Sequence, residues 1–223
     1  MFKAIIIGGT GATGKQLLHQ LIRDKNCELV TSIGRRPVLD GEKNDKLVDI
    51  IVDSLFKLTA TEKYWKNNDV FFNCIGTTRQ RAGGSKEFIN IESGISNEAA
   101  KMAANAKIPH ASLISAKGAN HKIWAKDWIH PLLYMKTIGQ KEQTIISNFS
   151  FNSVSIFKPG MLIRLRGKQT WFEDFSELKG FGLRVDTLAS AMIHDAERVS
   201  LGLVGKSPKY FIGNNHIKSS LEL

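Results

Sequence analysis

The sequence has few of the residues that build metal sites and disulfide frameworks. Its 223 residues include two cysteines, Cys27 and Cys74, and six histidines. The cysteines form no CxxC pair, and the histidines form neither an HExxH motif nor a cluster with cysteine. We therefore expect a protein from a reducing compartment, with no disulfide framework and no metal site.

Long apolar runs are also missing. A typical run, Ala4–Ile7, has four residues, whereas a transmembrane helix needs about 18 or more. The first apolar run begins within a few residues of Met1, which leaves no room for a signal or transit peptide. We therefore expect a cytoplasmic protein with no transmembrane segment.

Acidic residues are in short supply relative to basic ones. The chain has 31 lysines and arginines against 21 aspartates and glutamates, which gives a net charge of +10. This surplus favours anionic partners and is compatible with peripheral contact with acidic membranes. The lysines are dispersed, however, so a soluble lysine-rich surface is the simpler interpretation. Because no DNA- or RNA-reading motif accompanies the charge, we expect no sequence-specific binding to nucleic acid.

Apolar runs alternate along the chain with stretches of helical spacing. We predict strands over residues 3–7, 28–33, 47–52, 70–75, 111–114, 154–157 and 209–212. We predict helices over residues 15–24, 87–106, 132–147 and 186–198. This alternation is typical of an α/β fold with a doubly wound parallel sheet, a Rossmann fold, which binds ligands at the carboxyl ends of its strands. We expect one domain over residues 1–223, in which residues 161–223 supply a lid or substrate region.

A glycine-rich segment joins the first predicted strand to the first helix. Gly8, Gly11 and Gly14 form GxxGxxG, and Gly9, Gly11 and Gly14 also satisfy GxGxxG. Glycine allows the tight turn and lets a pyrophosphate approach the backbone, while the helix directs its unpaired N–H groups at the phosphates. In this position, between a strand and a helix, the motif predicts a dinucleotide site.

The end of the second strand indicates which dinucleotide is bound. NAD sites usually place an acidic residue there for the ribose 2′-hydroxyl, but this chain has Arg35 and Arg36. Two guanidinium groups attract a 2′-phosphate through charge-assisted hydrogen bonds. We therefore predict NADP(H), with the alternative that one arginine only caps the strand.

Two further strand ends complete the predicted cofactor site. Asp53 follows the third strand, where it would contact the adenine ring or, alternatively, cap a turn. Cys74, Ile75 and Gly76 close the fourth strand and would lie beneath the cofactor. Gly76 would let the backbone approach the ribose.

Six blocks occur in an order that resembles a known family. They are Gly8–Gly14, Ile33–Arg36, Gly76–Arg79 with Ala82 and Gly83, Ser115–Ala119, Leu133–Tyr134 and Phe157–Leu162. Together they resemble the Tat-interacting oxidoreductase family, an atypical branch of the short-chain dehydrogenase/reductase superfamily. The resemblance extends from Lys3 to about Ile212.

The resemblance implies a Rossmann fold with NADPH in its cleft and an oxidoreductase that acts on a carbonyl or hydroxyl group. Tyr134 matches the proton donor of the superfamily's Tyr-x-x-x-Lys motif and contacts the cofactor. Arg35 and Arg36 match the 2′-phosphate clamp, and the phosphate loop is matched by Thr10, Gly11, Ala12 and Thr13. Animal members are described as metastasis suppressors that bind protein partners and regulate apoptosis or transcription. Fungal relatives are linked to membranes of mitochondria or the endoplasmic reticulum, so the resemblance is also compatible with nuclear or peripheral membrane association.

The lysine of that motif is missing, because Ile138 stands four residues after Tyr134. An ammonium one helical turn away would lower the pKa of the phenol. Lys136 faces away from Tyr134, and Lys141 shares its face but lies about 10 Å further along the axis. A rescue through Lys141 and water, or through Lys117, stays open.

The residue that polarises the substrate is ambiguous as well. Superfamily members place a serine or threonine at the end of the fifth strand, and Ser115 is available there. If the working residue of the family is instead the next position, this chain offers only Ala116. Losing an acid–base partner typically lowers a rate by about 10²- to 10⁴-fold. Two functions remain: a weak NADP-dependent oxidoreductase with Tyr134 and Ser115 as catalytic residues, or a catalytically impaired NADPH-binding protein that works through protein partners. Trp124 and Trp128 would form a lid over the substrate or pack against the sheet edge.

Overall fold

A parallel sheet organises the computed structural model, which describes residues 1–126, 130–165, 182–203, 205 and 207–222. The strands in these ranges are β1 (Phe2–Ile7), β2 (Cys27–Gly34), β3 (Leu47–Ile51), β4 (Val70–Asn73), β5 (His110–Ile114), β6 (Ser153–Lys158), β7 (Met161–Ile163), β8 (Gly182–Arg184) and β9 (Lys209–Ile212). The main sheet has the order β3-β2-β1-β4-β5-β6-β9, and β7 pairs with β8 in a small second sheet.

The order in which strands are added to the sheet reverses at β1: β2 and β3 lie on one side of it, and β4 and the later strands lie on the other. Ile5 of β1 pairs with Thr31 of β2 on one side and with Phe71 of β4 on the other, and both pairings are parallel. After β3 the chain therefore crosses to the opposite side of β1 and continues outward. A doubly wound sheet opens a cleft at such a switch point, outside the carboxyl ends of the strands.

Helices connect the strands. They are α1 (Ala12–Arg23), α2 (Glu62–Trp65), α3 (Arg79–Ala82), α4 (Ser85–Ile89), α5 (Ser96–Asn105), α6 (His130–Asn148), α7 (Val185–Ser200) and α8 (Gly213–Ser219). A π-helical segment, Asn90–Ile95, joins α4 to α5. Across the described ranges, no helix combines the length and apolar character needed to cross a membrane.

The sheet is buried on both faces. Helices α1 and α7 cover one face, where Leu17 and Met192 pack around Ile6. Helices α5 and α6 cover the other face, where residues such as Ala103 pack with Ile5. Neighbouring residues of a strand point to opposite faces, so a strand covered on both sides reads as a continuous apolar run.

The doubly wound parallel sheet is confirmed, and each predicted strand is present with shifts of one or two residues at its ends. Helix α1 begins three residues earlier than expected, because the Gly11 carbonyl already accepts from the Lys15 N–H at 2.8 Å. The helical stretch predicted over residues 87–106 is confirmed, since α4, the π-helical segment and α5 follow one another without a break from Ser85 to Asn105; its π-helical turns were not predicted. The patterns also failed to predict β7, β8 and α8. Part of the expected lid, residues 166–181, lies outside the described residues.

Candidate functional site

The glycine turn between β1 and α1 leaves no room for side chains at two positions. Gly8 has φ +90°, and a Cβ there would lie 2.7 Å from the Cys74 carbonyl group. A Cβ on Gly14 would lie 2.2 Å from the Gly8 oxygen. Gly11 precedes α1 without a side-chain cap. The N–H groups of the first helical turn, which have no partner within the helix, therefore remain accessible to an anion.

A cleft runs from this turn across the carboxyl ends of β4 and β5. Gly11, Ala12 and Thr13 form one wall, and Cys74, Ile75 and Gly76 line it from the end of β4. Ser115, Tyr134 and Ile138 lie at the same cleft, which has a volume of about 150 Å³. The structure thus brings together the predicted phosphate loop, the predicted strand end and both predicted catalytic residues. The glycine turn fits the pyrophosphate of a dinucleotide, because Gly11–Thr13 line the cleft and begin α1 without a side-chain cap.

The two arginines after β2 are not equivalent. Arg36 lines a cavity of about 450 Å³ together with Thr10 of the glycine turn, and Lys15 and Asp40 lie in the same walls. Arg35 and Arg36 are both exposed, but Arg35 is not among the residues that line this cavity. The second cation of the cavity is therefore Lys15, which sequence reasoning missed. A lysine in the first turn of a helix was a usable signal, because that end carries positive partial charge and favours anions.

The other predicted cofactor residues differ in their placement. Asp53 is exposed and does not line the described cavities. Asp49 instead anchors the loop after β2, since its Oδ2 accepts from the Val38 N–H at 2.9 Å. Cys74 is buried at the cleft, and burial raises the pKa of its thiol to about 12. Cys74 is therefore a neutral part of the wall.

Tyr134 lies in the first turns of α6 with its ring stacked on Phe88 at a centroid distance of 5.8 Å. The pKa of its phenol is raised above the usual value, first by burial and then by the charge of Glu92, while Arg164 lowers it. Ile138, in the position of the missing lysine, is 2% exposed. The phenol is therefore held in its protonated form at neutral pH.

Ser115 is engaged in a buried polar network. Its hydroxyl donates to Glu142 Oε1. Glu142 Oε2 accepts from Lys158 Nζ at 2.8 Å, and the same ammonium donates to the Ala119 carbonyl at 3.0 Å. A serine has a single O–H donor, so in this arrangement Ser115 offers the cleft only acceptor lone pairs.

A second buried ion pair lies at the cleft and was not predicted. Lys141 Nζ lies 3.0 Å from Glu92 Oε2, and the two side chains are 2% and 1% exposed. Glu92 belongs to the π-helical segment, a feature that often marks functional sites. The sequence offered a signal only for Lys141, which shares a helix face with Tyr134.

The structure shows where the residues lie for which the sequence left alternative roles open. Lys117 is exposed, and neither it nor Ala116 lines the cleft. Trp124 is 65% exposed, so it does not pack against the sheet edge. Trp128 lies outside the described residues.

An apolar cavity of about 260 Å³ adjoins the cleft at Tyr134. Phe88, Pro131 and Leu133 supply its apolar walls, and Thr78 and Arg79 complete them. Tyr134 contributes to both the cleft and this cavity. A molecule whose polar end reached Tyr134 would therefore find apolar surface beside it.

Searches with the sequence found related proteins in fungi and in an animal. The chain is 31% identical to the protein FMP52, mitochondrial, of Meyerozyma guilliermondii over 178 residues, which cover 79% of this chain and 72% of the relative. It is 36% identical to the FMP52 protein of Debaryomyces hansenii, covering 74% of this chain and 69% of the relative. It is 30% identical to the rat protein HTATIP2, covering 71% of this chain and 62% of that protein. A scan of protein-family models gave no match.

Solved structures share the fold at low sequence identity. The oxidoreductase ylbE from Lactococcus lactis superimposes with a TM-score of 0.67 at 16% identity, over 99% of this chain and 95% of that one. MoeE5, solved with UDP-glucose and NAD, gives a TM-score of 0.67 at 14% identity, over 99% of this chain and 81% of that one. These similarities show that the chain has a Rossmann fold.

The relatives correct one expectation. The fungal relatives are named mitochondrial proteins, so the prediction of a cytoplasmic protein is wrong. That prediction rested on the position of the first apolar run and on the expectation of reduced cysteines. Neither feature distinguishes the cytoplasm from other reducing environments.

The ordered motif blocks, the doubly wound sheet and the extent of the aligned relatives lead to one conclusion. The chain belongs to the family of the FMP52 and HTATIP2 proteins, the Tat-interacting branch of the atypical short-chain dehydrogenase/reductases.

Proposed function

We propose that this protein is an NADPH-dependent oxidoreductase that reduces a carbonyl compound, with Tyr134 as the proton donor. The observation that carries the proposal is the single cleft that joins Gly11–Thr13, the end of β4 and the Tyr134 side chain. The phosphate-binding turn and a protonated acid thereby lie along one continuous surface.

The preference for NADPH over NADH is supported by charge at the adenosine end. Arg36 and Lys15 both line the cavity next to the glycine turn, and two cations favour a ribose that carries a 2′-phosphate. Asp40 lines the same cavity and opposes that preference. The two cations outnumber the one carboxylate.

The chemistry needs one hydride and one proton. When held at the glycine turn, NADPH would supply the hydride to the carbonyl carbon and become NADP⁺. Tyr134 donates its phenolic proton to the carbonyl oxygen to complete the alcohol, and the phenolate then recovers a proton from water. The raised pKa of Tyr134 keeps the donor protonated but makes the phenolate costly, so we expect slow turnover.

The cavity beside Tyr134 favours an apolar substrate. Its walls at Phe88, Pro131 and Leu133 suit an alkyl or aryl group attached to the carbonyl carbon. Each buried methylene group is worth about 0.8 kcal/mol. We therefore expect larger apolar aldehydes and ketones to react faster than small polar ones.

A second function, NADPH binding without catalysis, is favoured by two observations. Ile138 fills the position of the motif lysine and is buried. The Ser115 hydroxyl donates to Glu142 rather than to the cleft. A protein of this kind would use NADPH as a structural or sensing ligand and would act through regulatory protein partners.

The mitochondrial names of the fungal relatives support a proposal of mitochondrial association for this chain. Imaging of a tagged full-length chain beside mitochondrial and cytoplasmic markers would test it. Coincidence with the cytoplasmic marker alone would contradict the proposal.

Turnover measurements distinguish the two functions. The protein is incubated with NADPH and a panel of aldehydes and ketones of increasing apolar size, and the loss of NADPH absorbance is followed. We expect Tyr134→Phe to lower the rate by about 10²-fold or more while NADPH binding is retained. Tyr64→Phe is the matched control, because Tyr64 lies on α2 and lines neither the cleft nor the apolar cavity. NADPH binding with no turnover on the whole panel would contradict the oxidoreductase and support the second function.

A further inference from the structure

The Glu92–Lys141 pair is an unusual arrangement because both charges are almost fully removed from water. The side chains are 1% and 2% exposed, with 3.0 Å between Oε2 and Nζ. Burying two charges costs free energy that their mutual attraction does not always return, so such a pair is weak evidence for stability alone. Its position in the molecule therefore needs another explanation.

The pair holds the wall of the cleft at the end of β4. Lys141 Nζ donates to the Ile75 carbonyl at 3.2 Å. Glu92 Oε1 accepts from the Thr77 N–H at 2.6 Å. Gly76 lies between these two contacts, and a Cβ there would be 4.0 Å from Glu92 Oε1. The backbone on both sides of Gly76 is thus fixed by one ion pair.

One N–H of the Lys141 ammonium has no hydrogen-bond partner among the described residues. An ammonium has three N–H donors, and among the described residues Ile75 O and Glu92 Oε2 account for two of them. Lys141 lines the cleft beside Ile138 and Tyr134, on the same face of α6. It lies two helical turns beyond Tyr134, about 10 Å along the axis.

The cavity at Arg36 and the cleft both reach the glycine turn, but their chemistry differs. Arg36 and Lys15 line the cavity, which meets the turn at Gly9 and Thr10 and would take the adenosine end. Tyr134, Glu92 and Lys141 line the cleft, which meets the turn at Gly11–Thr13. A dinucleotide whose phosphates lie on that turn would place its second nucleoside near Lys141.

Resting on the proposed function, we propose that Lys141, held by Glu92, is a cofactor-positioning residue that donates a hydrogen bond to the ribose hydroxyls of the nicotinamide half. In the superfamily's Tyr-x-x-x-Lys motif the lysine both lowers the pKa of the phenol and holds the ribose hydroxyls of the nicotinamide half. In this chain these two tasks are separated. Lys141 takes over the holding of the cofactor from a position one turn further along α6. The activation of the phenol is not taken over, since burial and Glu92 both raise the pKa of Tyr134.

Comparison of two ligands tests this assignment. NADPH contains both halves of the dinucleotide, whereas 2′,5′-ADP contains only the adenosine end with its 2′-phosphate. The dissociation constants of both are measured for the unaltered chain and for Lys141→Met. Because the single variant leaves Glu92 buried without its partner, the doubly substituted Lys141→Met/Glu92→Gln chain is measured beside it, with thermal melts to establish that each variant is folded.

We expect the double variant to bind NADPH about 10- to 100-fold more weakly, the range of a lost hydrogen bond to a charged group. Its affinity for 2′,5′-ADP should change by less than about twofold. Lys136→Met is the matched control, because Lys136 lies on the same helix and does not line the cleft; it should leave both constants unchanged.

Three outcomes would overturn the assignment. Equal weakening of both ligands would show that the pair acts only on the shape of the cleft, and unchanged NADPH affinity would show that Lys141 does not contact the cofactor. In either case the proposed function would stand. Failure of the unaltered chain to bind NADPH and 2′,5′-ADP alike would overturn the proposed function and this assignment with it.

Discussion

Lys158 Nζ lies 2.8 Å from Glu142 Oε2, and the two side chains are only 10% and 9% exposed. The lysine comes from the end of β6 and the glutamate from α6, so the pair joins a strand to the helix that carries Tyr134. Glu142 also accepts from Ser115. The orientation of Ser115 therefore depends on a buried ion pair.

We predict that Lys158→Met destabilises the protein by about 3–5 kcal/mol, because it leaves the Glu142 carboxylate buried without a partner. Lys158→Met/Glu142→Leu should recover much of that loss, since no charge is then buried. Urea unfolding monitored by circular dichroism measures both values.

The exposed pair Lys66–Glu62, at 3.5 Å with side chains 61% and 68% exposed, supplies the control. Lys66→Met should cost less than about 1 kcal/mol, because water screens that pair. If Lys158→Met cost no more than this control, the buried pair would have no structural role.

The cavity lined by Arg36, Lys15 and Asp40 lets us predict how the loss of single charges changes the preference between NADPH and NADH. Arg36→Ala and Lys15→Ala should each weaken NADPH binding about tenfold, as expected for the loss of a charge-assisted hydrogen bond. Asp40→Asn should strengthen it, because a carboxylate beside the 2′-phosphate is removed. NADH, which lacks that phosphate, should respond little. Isothermal titration with both cofactors measures these changes.

Arg35→Ala is the matched control for this set, since Arg35 neighbours Arg36 in sequence but does not line the cavity. Its effect on NADPH affinity should stay below about threefold, the range of a screened surface charge. A loss as large as that of Arg36→Ala would restore the paired clamp that the sequence predicted.

Ile138→Lys should raise any turnover, because it places an ammonium one helical turn from the Tyr134 phenol and lowers the pKa of that phenol. In the unaltered chain that pKa is raised, so the reduction rate should stay flat into alkaline pH before it falls. The variant's rate should begin to fall at lower pH. The charged groups that share the cleft with Tyr134 are Glu92, Lys141, Arg81 and Arg164.

A pH–rate profile for each chain measures the shift. Gln140→Lys adds the same charge at an exposed position of α6 and should leave the profile unchanged. An equal rate and an unmoved alkaline limb in Ile138→Lys would contradict the placement of Tyr134 as the proton donor.

A buried histidine away from the cleft predicts a loss of stability in acid. Burial lowers the pKa of His110 from 6.5 to about 4, with Asp195 opposing and Lys209 reinforcing the shift. The unfolded chain therefore binds a proton between these values that the folded chain does not. The contribution of His110 to the free energy of unfolding should be fully present above about pH 6.5. It should fall by up to about 3 kcal/mol towards pH 4.

Urea unfolding at pH 7.5, 5.5 and 4.5 measures that slope. His110→Gln should flatten it over this range, while His216→Gln, at an exposed position of α8, should not. A slope unchanged by His110→Gln would assign the acid sensitivity to other groups.

The glycine turn between β1 and α1 was predictable because it is formed by residues close together in the sequence. Gly8 and Gly14 are required by contacts within one turn and with the neighbouring strand, and such a turn leaves a fixed spacing in the sequence. The fold followed from apolar runs that alternate with helical spacing. The π-helical segment was not predicted, because Asn90–Ile95 lies inside a stretch that was predicted as one helix.

The part of the cleft around Tyr134 was only partly predictable, because its interacting side chains come from distant parts of the chain. Lys141 and Glu92 are 49 residues apart, and Ser115 and Glu142 are 27 apart. No local sequence pattern predicts which carboxylate forms an ion pair with which ammonium group. The distinction between Arg35 and Arg36 likewise depends on how the loop after β2 packs.

The sequence by itself determined the parallel sheet, the glycine turn and the absence of a lysine four residues after Tyr134, since each depends on residues close together along the chain. The tertiary structure alone decided that Ser115 donates to Glu142, that Lys15 joins Arg36, and that Glu92 holds Lys141 at the cleft. Those contacts arise where separate helices and strands pack against one another, and buried charges accept only the partners that such packing supplies.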